Sequence, residues 1–278
     1  MEAIPIEAYF GKRDESFRNM LKSILQRGNI KPKYIELLLN EDGMRLYSKI
    51  FTHSSIDPNN NYEFYETLGD STANKCIVWY LSRRFPELNC PEGVKVIARL
   101  KIHLVSKDTF FSFAQSLNMW PFISAMSDIR QTKMKKVLED VFEAFIGATE
   151  MLIDEKIKQG VGYSIVYNII ASILDQVEIS LEYEVLFDAK TRLKEVFDKF
   201  AKQGIGKLEY DAVRDDKLFT VHAIRVLPSG AKQPLGAAKA SLKIDAEQKA
   251  AEIAIRALVS MGFEKIVPVE YLKFSRRR

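Results

Sequence analysis

The chain has 278 residues, of which 47% are hydrophobic and 28% are charged, a composition typical of a globular protein with two cores. No stretch approaches the roughly 18 apolar residues of a membrane span, so we expect no membrane partner. The first thirty residues contain acids and no central apolar block, and no clear targeting signal is expected. Two cysteines, Cys76 and Cys90, are too few for a disulfide framework and suit a reducing intracellular compartment, the cytoplasm or another.

The charge is distributed unevenly along the chain. The formal net charge is +4, but from residue 185 onward 19 Lys and Arg stand against 12 Asp and Glu, a net of +7. The residues before this point therefore carry a net of −3. A basic C-terminal third indicates a polyanionic partner, although a solvated lysine-rich surface has the same composition.

Apolar spacing of three and four predicts helices throughout the first two thirds of the chain. Residues 1–30 are predicted to be a helical N-terminal extension that ends near Gly28. Residues 31–181 continue as helices with polar breaks at 57–61, 89–93 and 127–130. Because no stretch here alternates with period two, we expect an all-α domain.

The pattern changes after about residue 187. A helix at 191–202 is followed by three short strand-like segments at 207–213, 218–226 and 236–240, and then by a helix at 245–261. This order predicts a small α+β domain of α-β-β-β-α type over residues 188–265. Residues 266–278 are expected to form a basic tail, of which residues 273–278 are expected to be mobile.

Two helical stretches carry acids at matching spacing. Glu63, Glu66 and Asp70 fall at i, i+3 and i+7, and Asp140 and Glu143 at i and i+3. The second stretch is apolar almost all round, which is typical of a buried helix, and buried carboxylates cost several kcal/mol unless a cation compensates them. Two Mg²⁺ ions about 4 Å apart would do so and could support phosphodiester hydrolysis. Incidental acidic faces on solvated helices remain the alternative at this point.

Residues 62–71, Tyr-Glu-Phe-Tyr-Glu-Thr-Leu-Gly-Asp-Ser, resemble the ribonuclease III signature Asn-Glu-Arg-Leu-Glu-Phe-Leu-Gly-Asp-Ser. Residues 139–147 resemble its partner motif, Ala-Asp-x-x-Glu-Ala-x-Ile-Gly. Segments 52–55, 84–86 and 92–93 match further family positions, so the resemblance covers roughly residues 45–155. It implies an all-α ribonuclease III nuclease domain.

The resemblance also implies an activity, a cofactor and a site. The activity is endonucleolytic cleavage of double-stranded RNA to 5′-phosphate and 3′-hydroxyl ends with short 3′ overhangs, with Mg²⁺ as cofactor and Mn²⁺ as its substitute. The implied metal ligands and catalytic acids are Glu66, Asp70, Asp140 and Glu143, with Glu63 as a further catalytic acid and Glu92 as an auxiliary acid of the cleft.

One departure from the signature concerns the dimer that the family forms. The family's phenylalanine before Leu-Gly-Asp plugs a socket on the other protomer, and Thr67 stands at this position. We hypothesise that Phe64 or Tyr65 replaces it. The expected partner is a second copy of the chain or a related subunit in a heterodimer.

Residues 188–195 and 243–251 resemble the first and last helix motifs of a double-stranded-RNA-binding domain. The residues that this resemblance assigns to RNA contacts are Thr191, Lys194, Glu195, Lys239, Lys243 and Lys249. Ile244 and Asp245 replace usual basic residues, and Ala238 and Ala240 replace usual glycines. A domain kept for protein contacts is therefore the alternative to an RNA-binding one.

For the whole chain, two functions of different classes remain open. The first is a Mg²⁺-dependent endonuclease, which the retention of all four implied ligands favours. The second is a catalytically silent ribonuclease III-fold subunit that binds RNA or assembles a ribonucleoprotein, which the altered signature keeps open. An unrelated helical protein with incidental acidic faces is a third reading.

Overall fold

The computed structural model describes residues 7–275 and divides into two compact units, one up to Ile179 and the other from Ser180 onward. Residues 1–6 and 276–278, which belong to the predicted N-terminal extension and basic tail, lie outside the described residues. Between residues 7 and 275, no helix combines the length and the apolar character needed to cross a membrane.

The first unit is a bundle of helices with one very small sheet. Its elements in chain order are β1 (Ala8–Tyr9), α1 (Glu15–Arg27), α2 (Pro32–Leu38), α3 (Glu41–Ile50), α4 (Glu63–Arg84), α5 (Gly93–Leu104), α6 (Lys107–Ser116), β2 (Ala125–Met126), α7 (Ser127–Thr132), α8 (Met134–Lys156) and α9 (Gly162–Leu174). Short 3₁₀ turns, Pro86–Leu88 and Trp120–Phe122, join some of these helices.

The central element of the first unit is α8. Every residue from Val137 to Thr149 is buried, because α4, α6, α9 and α3 pack around this helix. The prediction that the apolar stretch forms a buried helix is thus confirmed. Asp140 and Glu143 are carried into the interior with it and are 4% and 8% exposed.

The helices α4 and α8 cross with their backbones in contact at two glycines. A Cβ atom on Gly69 would lie 1.8 Å from the carbonyl oxygen of Glu143, and one on Gly147 would lie 2.4 Å from the carbonyl oxygen of Tyr65. Real Cβ atoms do not approach backbone so closely, so glycine is required at both positions. Glu66 and Glu143 each lie within about one turn of this crossing, and their side chains are brought together by it.

The N-terminal prediction needs correction. Within residues 7–30, only Glu15–Arg27 is helical. Asp14 caps this helix by accepting from the backbone N–H of Ser16. Ala8 and Tyr9 instead pair antiparallel with Met126 and Ala125, so the first unit is not strictly all-α. The partner strand is over a hundred residues away, and local periodicity carries no sign of such a pairing. The helix ends at Gly28 as predicted.

The N-terminal helix also belongs to the core of the first unit. Its apolar side chains are fully or almost fully buried, and they are Phe17, Met20, Leu21, Ile24 and Leu25. The ring of Phe17 meets that of Phe51 edge-on, with centroids 5.1 Å apart. Residues 15–27 are therefore an integral helix of this unit and not an appended extension.

A second correction concerns residues 127–130, which were predicted to be a break. They begin α7, and the guanidinium of Arg130 in this helix donates to the carbonyl oxygen of Ile123 at 2.6 Å. Its plane also lies over the ring of Trp120, 3.9 Å from the centroid. These tertiary contacts favour a helical turn that the polar sequence does not indicate.

The second unit has the predicted α-β-β-β-α order with one short helix added at each end. Its elements are α10 (Tyr183–Leu186), α11 (Ala189–Phe200), β3 (Lys207–Asp215), β4 (Leu218–Val226), β5 (Lys232–Ala240), α12 (Lys243–Ser260) and α13 (Val269–Ser275). The strands form an antiparallel sheet in the order β3-β4-β5, and α11 and α12 cover one of its faces. Leu193, Val221, Ala250 and Leu258 are fully buried between them.

Strand β5 begins at Lys232, earlier than the predicted start at 236. It contains Pro234, which cannot donate to a ladder and is tolerated because β5 is an edge strand. The ladder is irregular next to it, between Ala223 and Ile224. The proline and this irregularity explain why the first part of the strand, residues 232–235, was not predicted from the sequence.

The tail predicted over residues 266–278, with residues 273–278 mobile, is corrected for its described part. Val269–Ser275 is a helix whose Tyr271 and Phe274 are 6% and 2% exposed. The ring of Tyr271 lies 5.4 Å from that of Tyr183 and 5.3 Å from that of Phe187. Burial of these aromatic side chains orders the segment.

We expect Gly147→Ala to destabilise the first unit by about 3 kcal/mol or more, because the new methyl group meets backbone atoms that cannot rotate away. Chemical unfolding followed by circular dichroism measures this. Ala148→Gly, the reverse change at the next residue of the same helix, is the control, with an expected loss of roughly 1–2 kcal/mol. A Gly147→Ala protein as stable as the wild type would show that α4 and α8 do not cross in backbone contact.

Candidate metal centre

Three carboxylates from two distant parts of the chain converge beside the glycine crossing. Oxygen atoms of Glu66 on α4 and of Asp140 and Glu143 on α8 all lie within 4.8 Å of one another. Glu66 is half-buried and the other two are buried. Three like charges at this separation repel one another strongly in a partly desolvated site, so the arrangement favours either protonation of the carboxylates or binding of positive charge.

The titration of these acids reflects their environment. Burial raises the pKa of Glu143 to about 8, and the charges of Asp70, Glu139, Glu66 and Asp140 add to this effect. Burial, followed by the charge of Asp140, raises the pKa of Glu66 to about 7. Without a cation, both carboxyl groups thus hold protons for part of the time near neutral pH. A divalent cation that binds them would displace these protons.

A lysine supplies positive charge within the cluster. The Nζ atom of Lys136 lies 2.8 Å from Oδ1 of Asp140 and 4.0 Å from Oε1 of Glu66. The hydrogen bond to Asp140 is the main reason that the pKa of Lys136 is raised. On the other side, the hydroxyl of Tyr62 donates to Oδ2 of Asp140 at 3.2 Å. Asp140 is therefore oriented at both of its oxygens.

The three converging carboxylates are suitable ligands for a hard divalent cation. All three converging groups are carboxylates, the ligands that Mg²⁺ and Mn²⁺ accept, and no histidine or cysteine joins them in the described part of the chain. The ammonium group of Lys136 already lies where positive charge is favoured. Glu66, Asp140 and Glu143 could therefore hold such an ion.

The remaining acids implied by the resemblance lie outside this group of three. Asp70 is exposed, and its Oδ1 accepts a hydrogen bond from Nδ2 of Asn74 at 2.8 Å. Its charge nevertheless helps to raise the pKa of Glu143, so it lies within electrostatic reach. Glu63 is exposed at the start of α4, and Glu92 is exposed just before α5.

Sequence reasoning missed three side chains at this site: Tyr62, Lys136 and Glu139. For Lys136, a usable signal was its position four residues before Asp140, the spacing of an intrahelical ion pair. For Glu139, the signal was a departure from the resembled motif, which has alanine before the aspartate. Tyr62 precedes the first acidic stretch, and nothing local shows that it reaches Asp140.

Three of the six residues assigned to RNA contacts lie on α11 in the second unit, and two of these three form hydrogen bonds within the protein. The hydroxyl of Thr191 donates to Oδ2 of Asp188 at 2.7 Å, as part of the helix cap. Glu195 accepts through Oε2 from the hydroxyl of Tyr183 and from Nζ of Lys265. Lys194 is exposed on the same helix.

The other three lysines are divided between two surfaces. Lys243 and Lys249 lie exposed on α12, and Nζ of Lys243 is 3.8 Å from Oε1 of Glu247. Glu247 also pairs with Lys190. Lys239 lies on β5 between Ala238 and Ala240, which both pack on the core, so its side chain projects from the opposite face of the sheet. The structure therefore separates Lys239 from Lys243 and Lys249.

Comparison with known proteins gives concordant results. Residues 63–151 match a family model described as Ribonuclease III domain. A protein of Invertebrate iridescent virus 6 named "Putative ribonuclease 3" is 41% identical over 267 residues, with 91% of each chain covered. The "Ribonuclease 3" of Lactobacillus johnsonii is 30% identical over 242 residues, with 84% of this chain and 97% of the relative covered. A solved structure of the nuclease domain of ribonuclease III from Campylobacter jejuni aligns with a TM-score of 0.42 at 22% identity, over 57% of this chain and 98% of that one.

Proposed function

We propose that this chain, which belongs to the ribonuclease III family, is an endonuclease that hydrolyses double-stranded RNA with Mg²⁺, for which Mn²⁺ can substitute. Its products would carry 5′-phosphate and 3′-hydroxyl ends with short 3′ overhangs. The observation that carries the proposal is the convergence of Glu66, Asp140 and Glu143, whose oxygens lie within 4.8 Å of one another. A silent scaffold would have no need of three repelling acids in this position.

In this proposal, Glu66, Asp140 and Glu143 would hold the cation, and Asp70, whose Oδ1 accepts from Asn74, would be a further ligand. A bound divalent ion supplies electrostatic stabilisation of the charge that develops on the phosphodiester in the transition state. The hydroxyl of Tyr62 orients Asp140. Glu63 and Glu92 would line the cleft through which RNA approaches.

We expect Glu143→Gln to reduce cleavage of a long RNA duplex by at least about 10²-fold while duplex binding remains, because only the charge of a metal ligand is removed. Cleavage is followed on denaturing gels with Mg²⁺ and with EDTA, and the 5′ ends are tested for phosphate. Glu15→Gln, on the exposed start of α1, is the matched control and should cleave normally. Wild-type protein that binds duplex RNA but does not cleave it with either metal would favour the silent ribonucleoprotein subunit.

We further propose that the nuclease unit pairs with a second copy through α4. Phe64 is 66% exposed on this helix, although it is a large aromatic side chain. One turn further, Leu68 lines a cavity of about 430 Å³ whose other walls are Glu150, Met151, Asp154, Glu155 and Gln159. Because the aromatic side chain and the cavity lie on the same face, two copies related by a two-fold axis could each insert Phe64 into the other.

We expect Phe64→Ala to weaken dimerisation by roughly 30-fold or more, because an aromatic side chain in a pocket contributes about 2 kcal/mol or more to an interface. Analytical ultracentrifugation over a concentration series measures the dissociation constant. The control is Phe10→Ala, which removes a similarly exposed phenylalanine (69%) from the N-terminal segment. It should leave the dissociation constant of the dimer unchanged. Wild-type protein that stays monomeric at all concentrations, with and without RNA, would indicate a heterologous partner instead.

For the second unit we propose binding of double-stranded RNA through phosphate charge and A-form shape. The α-β-β-β-α fold and the exposed lysines of α12 support it. The pairing of Glu247 with Lys243 and Lys190, and the engagement of Glu195, reduce the free charge on this surface. We therefore expect binding that is weak and strongly dependent on salt.

We expect Lys243→Glu to lower duplex affinity several-fold and to reduce the slope of log affinity against log salt by about one, as for the loss of one phosphate contact. Fluorescence anisotropy with two duplexes of unrelated sequence provides the measurement. Lys239→Glu carries the same charge change on the opposite sheet face and should have a smaller effect. Equal effects of the two variants would show that α12 does not provide the RNA contact.

A further inference from the structure

One acidic residue next to the candidate metal centre is not among the proposed ligands. Glu139 precedes Asp140 on α8 and is 8% exposed. Its Oε2 atom is buried and, within residues 7–275, has no hydrogen-bond donor. A positive charge, Nζ of Lys107 at the start of α6, lies 3.6 Å from that oxygen. A buried carboxylate is thus left incompletely compensated beside three others.

The position of Glu139 directs it toward the same cleft. It lies one turn before Glu143 on α8, so the two side chains share a face of the helix. Glu139 therefore projects from the same side of α8 as the proposed ligand Glu143, and both residues are buried.

Packing does not explain an acid at this position. Burying a carboxylate without full hydrogen bonding costs on the order of several kcal/mol. The salt bridge to Lys107 offsets little of this, because the lysine side chain is 61% exposed and the contact is longer than a hydrogen bond.

We propose that Glu139 is an additional carboxylate of the metal centre, which strengthens the binding of a divalent cation by the Glu66, Asp140 and Glu143 cluster. The inference rests on the proposed function, since it assumes that these three acids bind metal. Glu139 acts directly on the ion or through a water molecule of its hydration shell. In the metal-free protein Lys107 compensates Glu139 only in part, at 3.6 Å from its Oε2 atom.

Isothermal titration calorimetry of the full-length protein with Mn²⁺ measures the dissociation constant that tests this inference. Glu139→Gln preserves the shape of the side chain and removes its charge, and we expect it to weaken Mn²⁺ binding by roughly 10-fold. Glu139→Ala should weaken binding at least as much, and Glu139→Asp should retain most of it. Lys107→Gln, which removes the competing cation, should leave the affinity unchanged or increase it.

Thermal unfolding in EDTA separates this role from a structural one. If Glu139 serves the metal, Glu139→Gln should be as stable as the wild type or more stable without metal, because it relieves a buried charge. Equal Mn²⁺ affinity of Glu139→Gln and wild type would overturn the inference and leave the nuclease proposal intact. Absence of Mn²⁺ binding by the wild type would instead overturn the metal centre itself.

Discussion

The backbone contact between α4 and α8 is the constraint on which the candidate site depends. Gly69 and Gly147 meet where a Cβ atom on either would lie within 2.4 Å of a carbonyl oxygen of the other helix. No other residue permits this approach, and a wider separation of the helices would move Glu66 away from Glu143. The two residues at the closest approach are uncharged glycines. Their contact nevertheless sets the distance between the acidic side chains that the two helices carry.

That proximity opposes folding electrostatically. Four acids, Glu66, Glu139, Asp140 and Glu143, lie at or beside the crossing, and burial raises the pKa of three of them. Lys136 and Lys107 compensate part of the charge from two sides. Local departures from good packing and pairing of this kind are typical of functional sites, whose requirements differ from those of stability. A divalent cation would turn the same repulsion into binding energy.

In the second unit, the residues that stabilise the fold are different from those that would bind a ligand. The core consists of apolar residues such as Leu193, Val221 and Ala250, which are fully buried. The surface that would contact RNA is less complete, since Glu247 pairs with both Lys190 and Lys243. The fold can therefore persist while its affinity for a polyanion changes, because packing and surface charge involve different side chains.

The sequence by itself determined the helical character of the first unit, the burial of α8 and the order of elements in the second, since each depends on local spacing of apolar residues. It also indicated Glu66, Asp140 and Glu143 through spacing and resemblance. Only the tertiary structure decided that Asp70 lies outside that group, that Tyr62 and Lys136 orient Asp140, and that Lys239 faces away from Lys243. The strand pairing of Ala8–Tyr9 and the burial of Tyr271 were likewise decided only by the tertiary structure. Each depends on contacts between residues far apart in the chain or on which face a side chain projects from, and neither property is contained in local periodicity.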